Sequence, residues 1–165
     1  QALFDRTARA KRTRARTDGD PDARLRITRA EKYYHEDIEK RYRARLNAIR
    51  RDLIRRRKDG EEVVDVSTDT DFVQAELLDG SGMGLVLEED VNEHYLFHGT
   101  SAKAARSIVT MDFYHPGSST ASHGRLFGDG IYFAENVTKA DEYSDAEERV
   151  ILVCRVVLGL SLIHI

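Results

Sequence analysis

The spacing of hydrophobic and polar residues changes several times along this chain. In residues 23–28, ARLRIT, Leu25 and Ile27 alternate with Arg24 and Arg26, a period of two that predicts a short half-buried strand. Thr28 and Glu31 then form a T-x-x-E capping box, which predicts a helix starting at about Arg29. Its apolar stripe is Ala30, Tyr34, Ile38, Tyr42, Leu46, Ile49 and Leu53, at helical steps of three and four. The opposite face carries Lys40, Arg41, Arg43, Arg45, Arg50, Arg51 and Arg55, and Asp59-Gly60 ends the helix. Residues 61–93 are less regular. VVDV (63–66) reads as a short strand, DFVQAELL (71–78) as one or two helical turns, and GSGMG (80–84) as a turn. The G-x-G-x-G spacing there lacks the strong strand before it and the long helix after it that a phosphate cradle uses.

The pattern tightens after residue 93. Tyr95-Leu96-Phe97 predicts a strand entering the core and ending in His98-Gly99-Thr100. Thr100 or Ser101 can cap a helix carrying Ala102, Ala105, Ile108 and Val109. Residues 114–124, YHPGSSTASHG, form a polar loop long enough to act as a lid. Gly128 and Gly130 lead into a strand Ile131–Ala134, whose alternation puts Tyr132 and Ala134 on one face and Ile131 and Phe133 on the other. Asn136 can cap a short helix bearing Lys139, Asp141 and Tyr143. Arg149–Leu158, apolar except for Arg155, reads as a strand that is central or buried on both faces.

Composition adds a charge asymmetry. The 165 residues fit one domain with a tail. Residues 1–60 hold 20 Lys/Arg against 10 Asp/Glu, and the remainder hold 6 against 19. A basic head on an acidic body implies separate jobs or partners for the two parts. Residues 1–22 read as a disordered basic arm or linker in which Lys11, Arg12, Arg14 and Arg16 could contact nucleic-acid phosphates, although no aromatic residue is interleaved to stack on bases. The basic helix face reads as a solvated surface, with a polyanion-facing ridge as the alternative. Cys154, the one cysteine, sits in an apolar run and reads as a buried strand residue. One cysteine makes no internal disulfide, which points to a reducing intracellular compartment, nuclear or cytoplasmic. No run approaches the ~20 apolar residues that cross a bilayer, so no membrane partner is expected. The chain opens on Gln without a signal-peptide core and reads as a fragment.

The candidate chemistry gathers between His94 and Tyr143. A strand ending in His98-Gly99 presents an imidazole and a backbone without Cβ, which lets a flat ligand approach the main chain. Tyr132 and Tyr143 offer surfaces for a nucleotide to stack on. No metal is expected, because His94 and His98 are spaced i, i+4 on a strand and His115 and His123 lie in a loop without carboxylates at ligand spacing. No G-x-S-x-G elbow is present.

HYLFHGT (94–100), FGDGIYFAENVTKADEY (127–143) and VILVCRVVLG (150–159) resemble, in order and spacing, the catalytic domain of poly(ADP-ribose) polymerase-like ADP-ribosyltransferases. The likeness is closest to tankyrase-like and mono-ADP-ribosylating members and covers about residues 24–159. It implies an α+β ADP-ribosyltransferase fold, with a central, mostly antiparallel split sheet preceded by a long amphipathic basic helix. It also implies NAD⁺ as substrate, no metal, and a protein acceptor for the transferred ADP-ribose, with nucleic acid as a partner through the basic arm. By the family pattern His98 and Tyr132 are catalytic, and His98 hydrogen-bonds the adenine-side ribose. The Gly99 backbone pairs with the nicotinamide carboxamide, and Tyr132 and Tyr143 flank the ring, with Tyr143 stacked on it. Thr100, Phe133, Ala134, Lys139 and Ala140 complete the NAD⁺-binding set. The alternative reading is a non-catalytic module that binds NAD⁺ or ADP-ribose.

Two departures from the family pattern stand out. Ala140 occupies the position, three residues before the stacking tyrosine, where the family usually has a serine. One lost hydrogen bond of about 0.5–1.5 kcal/mol weakens binding about tenfold without abolishing it. Thr138 is displaced by two positions and is not given that role. The family's third signature position lies on a strand beyond Arg149–Leu158, so the expected domain, residues 23–159, lacks its C-terminal strands. Residues 160–165, LSLIHI, depart from the family and are expected to be a non-native tail.

Overall fold

The computed structural model describes residues 1–8, 25–61, 63, 66–72, 86–114, 130–145 and 147–159. Its frame is an antiparallel pair, β1 (Glu93–Thr100) and β2 (Val150–Val157), in unbroken register from Glu93 opposite Val157 to Thr100 opposite Val150. β1 is longer than the apolar run Tyr95–Phe97 because it begins at the buried pair Glu93 and His94 and ends at Thr100.

On its other edge β1 meets the chain at one point. Phe97 and Ala134 exchange both backbone bonds, N–H to carbonyl, at 2.8 Å each. The strand expected over Ile131–Ala134 is therefore reduced to one bridge. In a continued ladder Tyr132 would pair with Gly99; instead the Tyr132 carbonyl accepts from the His98 side chain. Just past Ala134 the chain turns into α4 (Val137–Asp141), with Asn136 at the N-cap position but no side-chain cap bond. The ladder is thus stopped on both sides of the bridge.

Two clusters pack at opposite ends of the ribbon. At the Glu93/Val157 end, α2 (Glu36–Lys58) buries Leu46 and Leu53 against Val91, with Tyr42, Ile49, Val63 and Val157 around them. At the Thr100/Val150 end, Phe97, Val137 and Ala140 are buried with Leu3, Phe4, Leu25, Ala134 and Ile151 against them. α3 (Ala102–Met111) follows β1 directly, and Ser101 caps it as expected, its Oγ accepting from the Ala104 N–H at 3.1 Å.

Four expectations change. The first residues of the expected arm form a helix, α1 (Ala2–Thr7), because Leu3 and Phe4 find a core, with the Phe4 ring edge-on to Phe97 at 5.8 Å. Leu25 and Ile27 are half-buried as their alternation implies, yet they form no strand. The Gln1 side chain takes the place of a strand partner, donating to the Leu25 carbonyl and accepting from the Ile27 N–H, each at 3.0 Å.

α2 starts at Glu36 rather than Arg29. The Glu31 carboxylate holds the Tyr33 hydroxyl and Arg29 instead of closing a capping box, and Tyr34, 72% exposed, has no surface to pack on. Glu36, Asp37 and Glu39 fill the true first turn, where negative charge favours a helix N-terminus. β2, expected to be central, is half-exposed, with Val153 45% exposed. Among the described residues it pairs with β1 alone, and β1 is the strand flanked on both edges. The readings for 63–66, 71–78 and 80–84, the lid after Tyr114, the basic residues 11–16 and the tail 160–165 fall wholly or mainly outside the described residues.

Candidate functional site at the open edge of the central strand

Backbone alternation in β1 builds the site. Phe97 spends its N–H and C=O on Ala134, away from β2, so the alternate residues Tyr95 and Gly99 direct theirs to that same edge. The Tyr95 carbonyl accepts from the Thr70 hydroxyl at 2.6 Å. At Gly99 the bridge has already ended, and among the described residues no backbone group on that edge meets its N–H or C=O. One donor and one acceptor side by side match a primary carboxamide.

Gly99 has a structural reason to be glycine. A Cβ there would lie 1.7 Å from the Ala140 carbonyl oxygen and 2.6 Å from its carbon. The bare backbone lets α4 close onto β1, so the obstruction expected for a ligand arises first with the protein's own helix.

His98 sits beside this edge. Its Nδ1 lies 2.9 Å from the Tyr132 carbonyl oxygen, which can only accept, so Nδ1 carries the proton and Nε2 of the neutral ring is an acceptor. Phe113 meets the imidazole edge-on at 5.1 Å, Phe133 lies tilted at 5.7 Å, and the two phenyl rings are 5.4 Å apart. This packing fixes the ring plane. Phe113 was not singled out in the sequence; it stands alone after α3, with no periodicity to mark it.

Tyr132 and Tyr143 are 43% and 46% exposed, so both keep ring surface for a ligand. Lys139 Nζ donates to Glu142 at 2.7 Å and lies over the Tyr143 ring, 5.3 Å from its centre. Ala140 is buried beside Phe97 and Val137. Thr138 is buried as well. Of the residues proposed from sequence, the structure gathers His98 with Tyr132 and Phe133, Gly99 with Ala140, and Lys139 with Tyr143. Ala134 supports the strand through its bridge, and Thr100 ends β1 opposite Val150.

The basic face of α2 is largely matched from within. Arg43 pairs with Glu39 and Glu88, Arg50 with Glu88 and Asp90, Arg41 with Asp112, and Arg55 with Asp52. Arg155 of β2 donates to Glu39 at 2.5 Å, and its second nitrogen is 3.8 Å from Glu93, too far for a hydrogen bond. Burial pushes the Glu39 carboxyl up, but Arg43 and Arg155 outweigh it and hold the group below its usual range. Burial, and then the bond from its hydroxyl to Glu93, push Tyr42 well above the usual phenol range. Burial also pushes the Cys154 thiol up to about 12. Much of the acidic body is thus the counter-charge of the basic helix.

Two clefts lie elsewhere. One of about 390 Å³ is lined by Arg45, Ile49, Asp52, Leu53 and Gly159, and one of about 270 Å³ by Arg6, Ala8, Asp69 and Phe72. Neither borders His98 or Gly99, and neither gathers catalytic chemistry. Among the described residues no three His, Cys, Asp or Glu side chains come together in a metal-binding group, and no helix is long and apolar enough to cross a membrane.

A family model for the poly(ADP-ribose) polymerase catalytic domain matches residues 10–164. The chain belongs to that family, and its α+β architecture with an antiparallel sheet is consistent with that fold. It is also similar to the Caenorhabditis elegans protein called poly [ADP-ribose] polymerase tankyrase, with 36% identity over 73 residues, which is 42% of this chain. The chain spans about 3% of the length of that curated relative.

Proposed function

We propose that this domain is part of an NAD⁺-dependent ADP-ribosyltransferase that cleaves the nicotinamide–ribose bond and passes ADP-ribose to a protein acceptor. The observation that carries this reading is the Gly99 donor–acceptor edge beside an imidazole whose Nδ1 proton is fixed by the Tyr132 carbonyl. The edge would take the carboxamide, the tyrosines would face the ring, and His98 Nε2 would accept from a ribose hydroxyl. The C–N bond breaks with its electron pair going to nicotinamide, which neutralises the pyridinium. The sugar carbon becomes oxocarbenium-like and is captured by the acceptor. In such a reaction, holding the leaving group and sugar in line supplies most of what the protein contributes. An intracellular setting, nuclear or cytoplasmic, belongs to this reading and is supported by the single Cys154, whose thiol burial keeps protonated.

Calorimetric titration of the chain with NAD⁺, beside His98→Ala and Tyr143→Ala, tests the proposal. Binding that both substitutions remove supports it; binding that neither affects overturns it.

One observation favours a second reading. Ala140 brings no hydroxyl to the carboxamide and is only 3% exposed, which fits a module that binds NAD⁺ or ADP-ribose without turnover. Release of free nicotinamide by a form of the protein carrying further C-terminal sequence would exclude the binding-only module. Saturable binding with no release would favour it.

A further inference from the structure

The site wall contains a charge pair that the NAD⁺ reading leaves unused. Lys139 places an ammonium over the Tyr143 ring, 5.3 Å from its centre. The ring of NAD⁺ is a pyridinium and also positive. An ammonium beside the aromatic wall would oppose that ring unless something offsets it. Glu142 is placed to do so. Its carboxylate is 1% exposed and accepts from Lys139 Nζ at 2.7 Å, while Lys139 itself is 38% exposed. A buried carboxylate under a half-exposed lysine is not an ordinary surface pair, whose partners usually both stand in water.

We infer that Glu142 is a positioning and specificity residue that neutralises Lys139 at the Tyr143 wall, so that the wall accepts a cationic nicotinamide ring as readily as a neutral one. The inference rests on the NAD⁺ reading of the site and adds to it a preference for ligand charge. Glu142 acts through Lys139 and does not itself touch substrate. Without the carboxylate, the ammonium remains and the wall turns positive. Free nicotinamide, which has the same carboxamide and ring but no charge, would not respond to that change.

The test is a pair of calorimetric titrations, NAD⁺ and nicotinamide, on the unmodified chain, Glu142→Gln and Glu142→Asp. In Glu142→Gln, NAD⁺ affinity falls about tenfold, within the range of cation–aromatic energetics, while nicotinamide affinity holds. Glu142→Asp, which keeps the charge, recovers most of the NAD⁺ affinity. The readout is the ratio of the two affinities in folded protein, so a general loss of stability does not imitate it. If both ligands weaken equally, or neither weakens, the inference is overturned while the NAD⁺ reading stands. If the unmodified folded chain binds neither ligand, that reading falls first and takes the inference with it.

Discussion

The two ends of the β1–β2 ribbon are built from opposite materials. At the Glu93/Val157 end, α2 is tied down by charge: Tyr42 to Glu93, Arg155 and Arg43 to Glu39, Arg43 and Arg50 to Glu88, and Arg50 to Asp90. At the Thr100/Val150 end there are rings and small residues: His98 among Phe113 and Phe133, Gly99 against Ala140, Phe97 over Val137. The first end spends its polar groups on itself and is scaffold. The second leaves the Gly99 amide edge uncommitted among the described residues, and an uncommitted backbone pair is what a carboxamide ligand can use.

Breaking the charged end should cost the most stability. Arg155→Ala strands Glu93 and Glu39, and removing one partner of a buried ion pair costs about 3–5 kcal/mol. Denaturant unfolding should show that loss, and a loss below about 1 kcal/mol would mean that the network is ornamental. Gly99→Ala should come next. Because the clash is with the Ala140 backbone, α4 or β1 must move, at about 1–3 kcal/mol, and ligand binding should vanish in protein that remains folded.

Acid separates the ends in a different way. The Glu39 and Asp90 carboxyls are held below their ordinary values of 4.5 and 3.8, so their contribution to stability is complete above those values and is lost as pH falls through the lower folded ones. Melts from pH 7 down to 3 should show the α2 end loosening first, read as loss of helical signal before loss of the His98 ring contacts. Ala140→Ser is the smaller and opposite perturbation. A hydroxyl restored next to Gly99 should raise NAD⁺ affinity by up to about tenfold, which titration would read directly. Arg51→Ala, on the exposed face of α2, should change stability by less than about 0.5 kcal/mol.

The contrast also explains what could be read from the residues alone. β1 with His98-Gly99, the Ser101 cap and the short helix before Tyr143 rest on local signals: an apolar run, a capping hydroxyl, a glycine. The start of α2 is not local. Thr28 and Glu31 have the capping pattern, but an exposed helix with Tyr33 and Tyr34 in water gains too little, and Glu31 pairs with Arg29 and Tyr33 instead. α1 is not local either, since Leu3 and Phe4 order only because Phe97, distant in sequence, gives them a face. The bridge at Ala134 replaced a strand because a histidine side chain took the next carbonyl, a competition that alternation cannot encode. Phe113 and Glu142 carry no pattern at all and became visible only through the rings and the lysine they touch.

The measurement closest to the central claim is the amide signal of Gly99 in a ¹⁵N-resolved NMR titration with nicotinamide. The account predicts a saturable downfield shift of the Gly99 N–H as it donates to the carboxamide, with Tyr143 ring signals moving at the same midpoint. A folded chain in which nicotinamide moves other amides and leaves Gly99 untouched would contradict it.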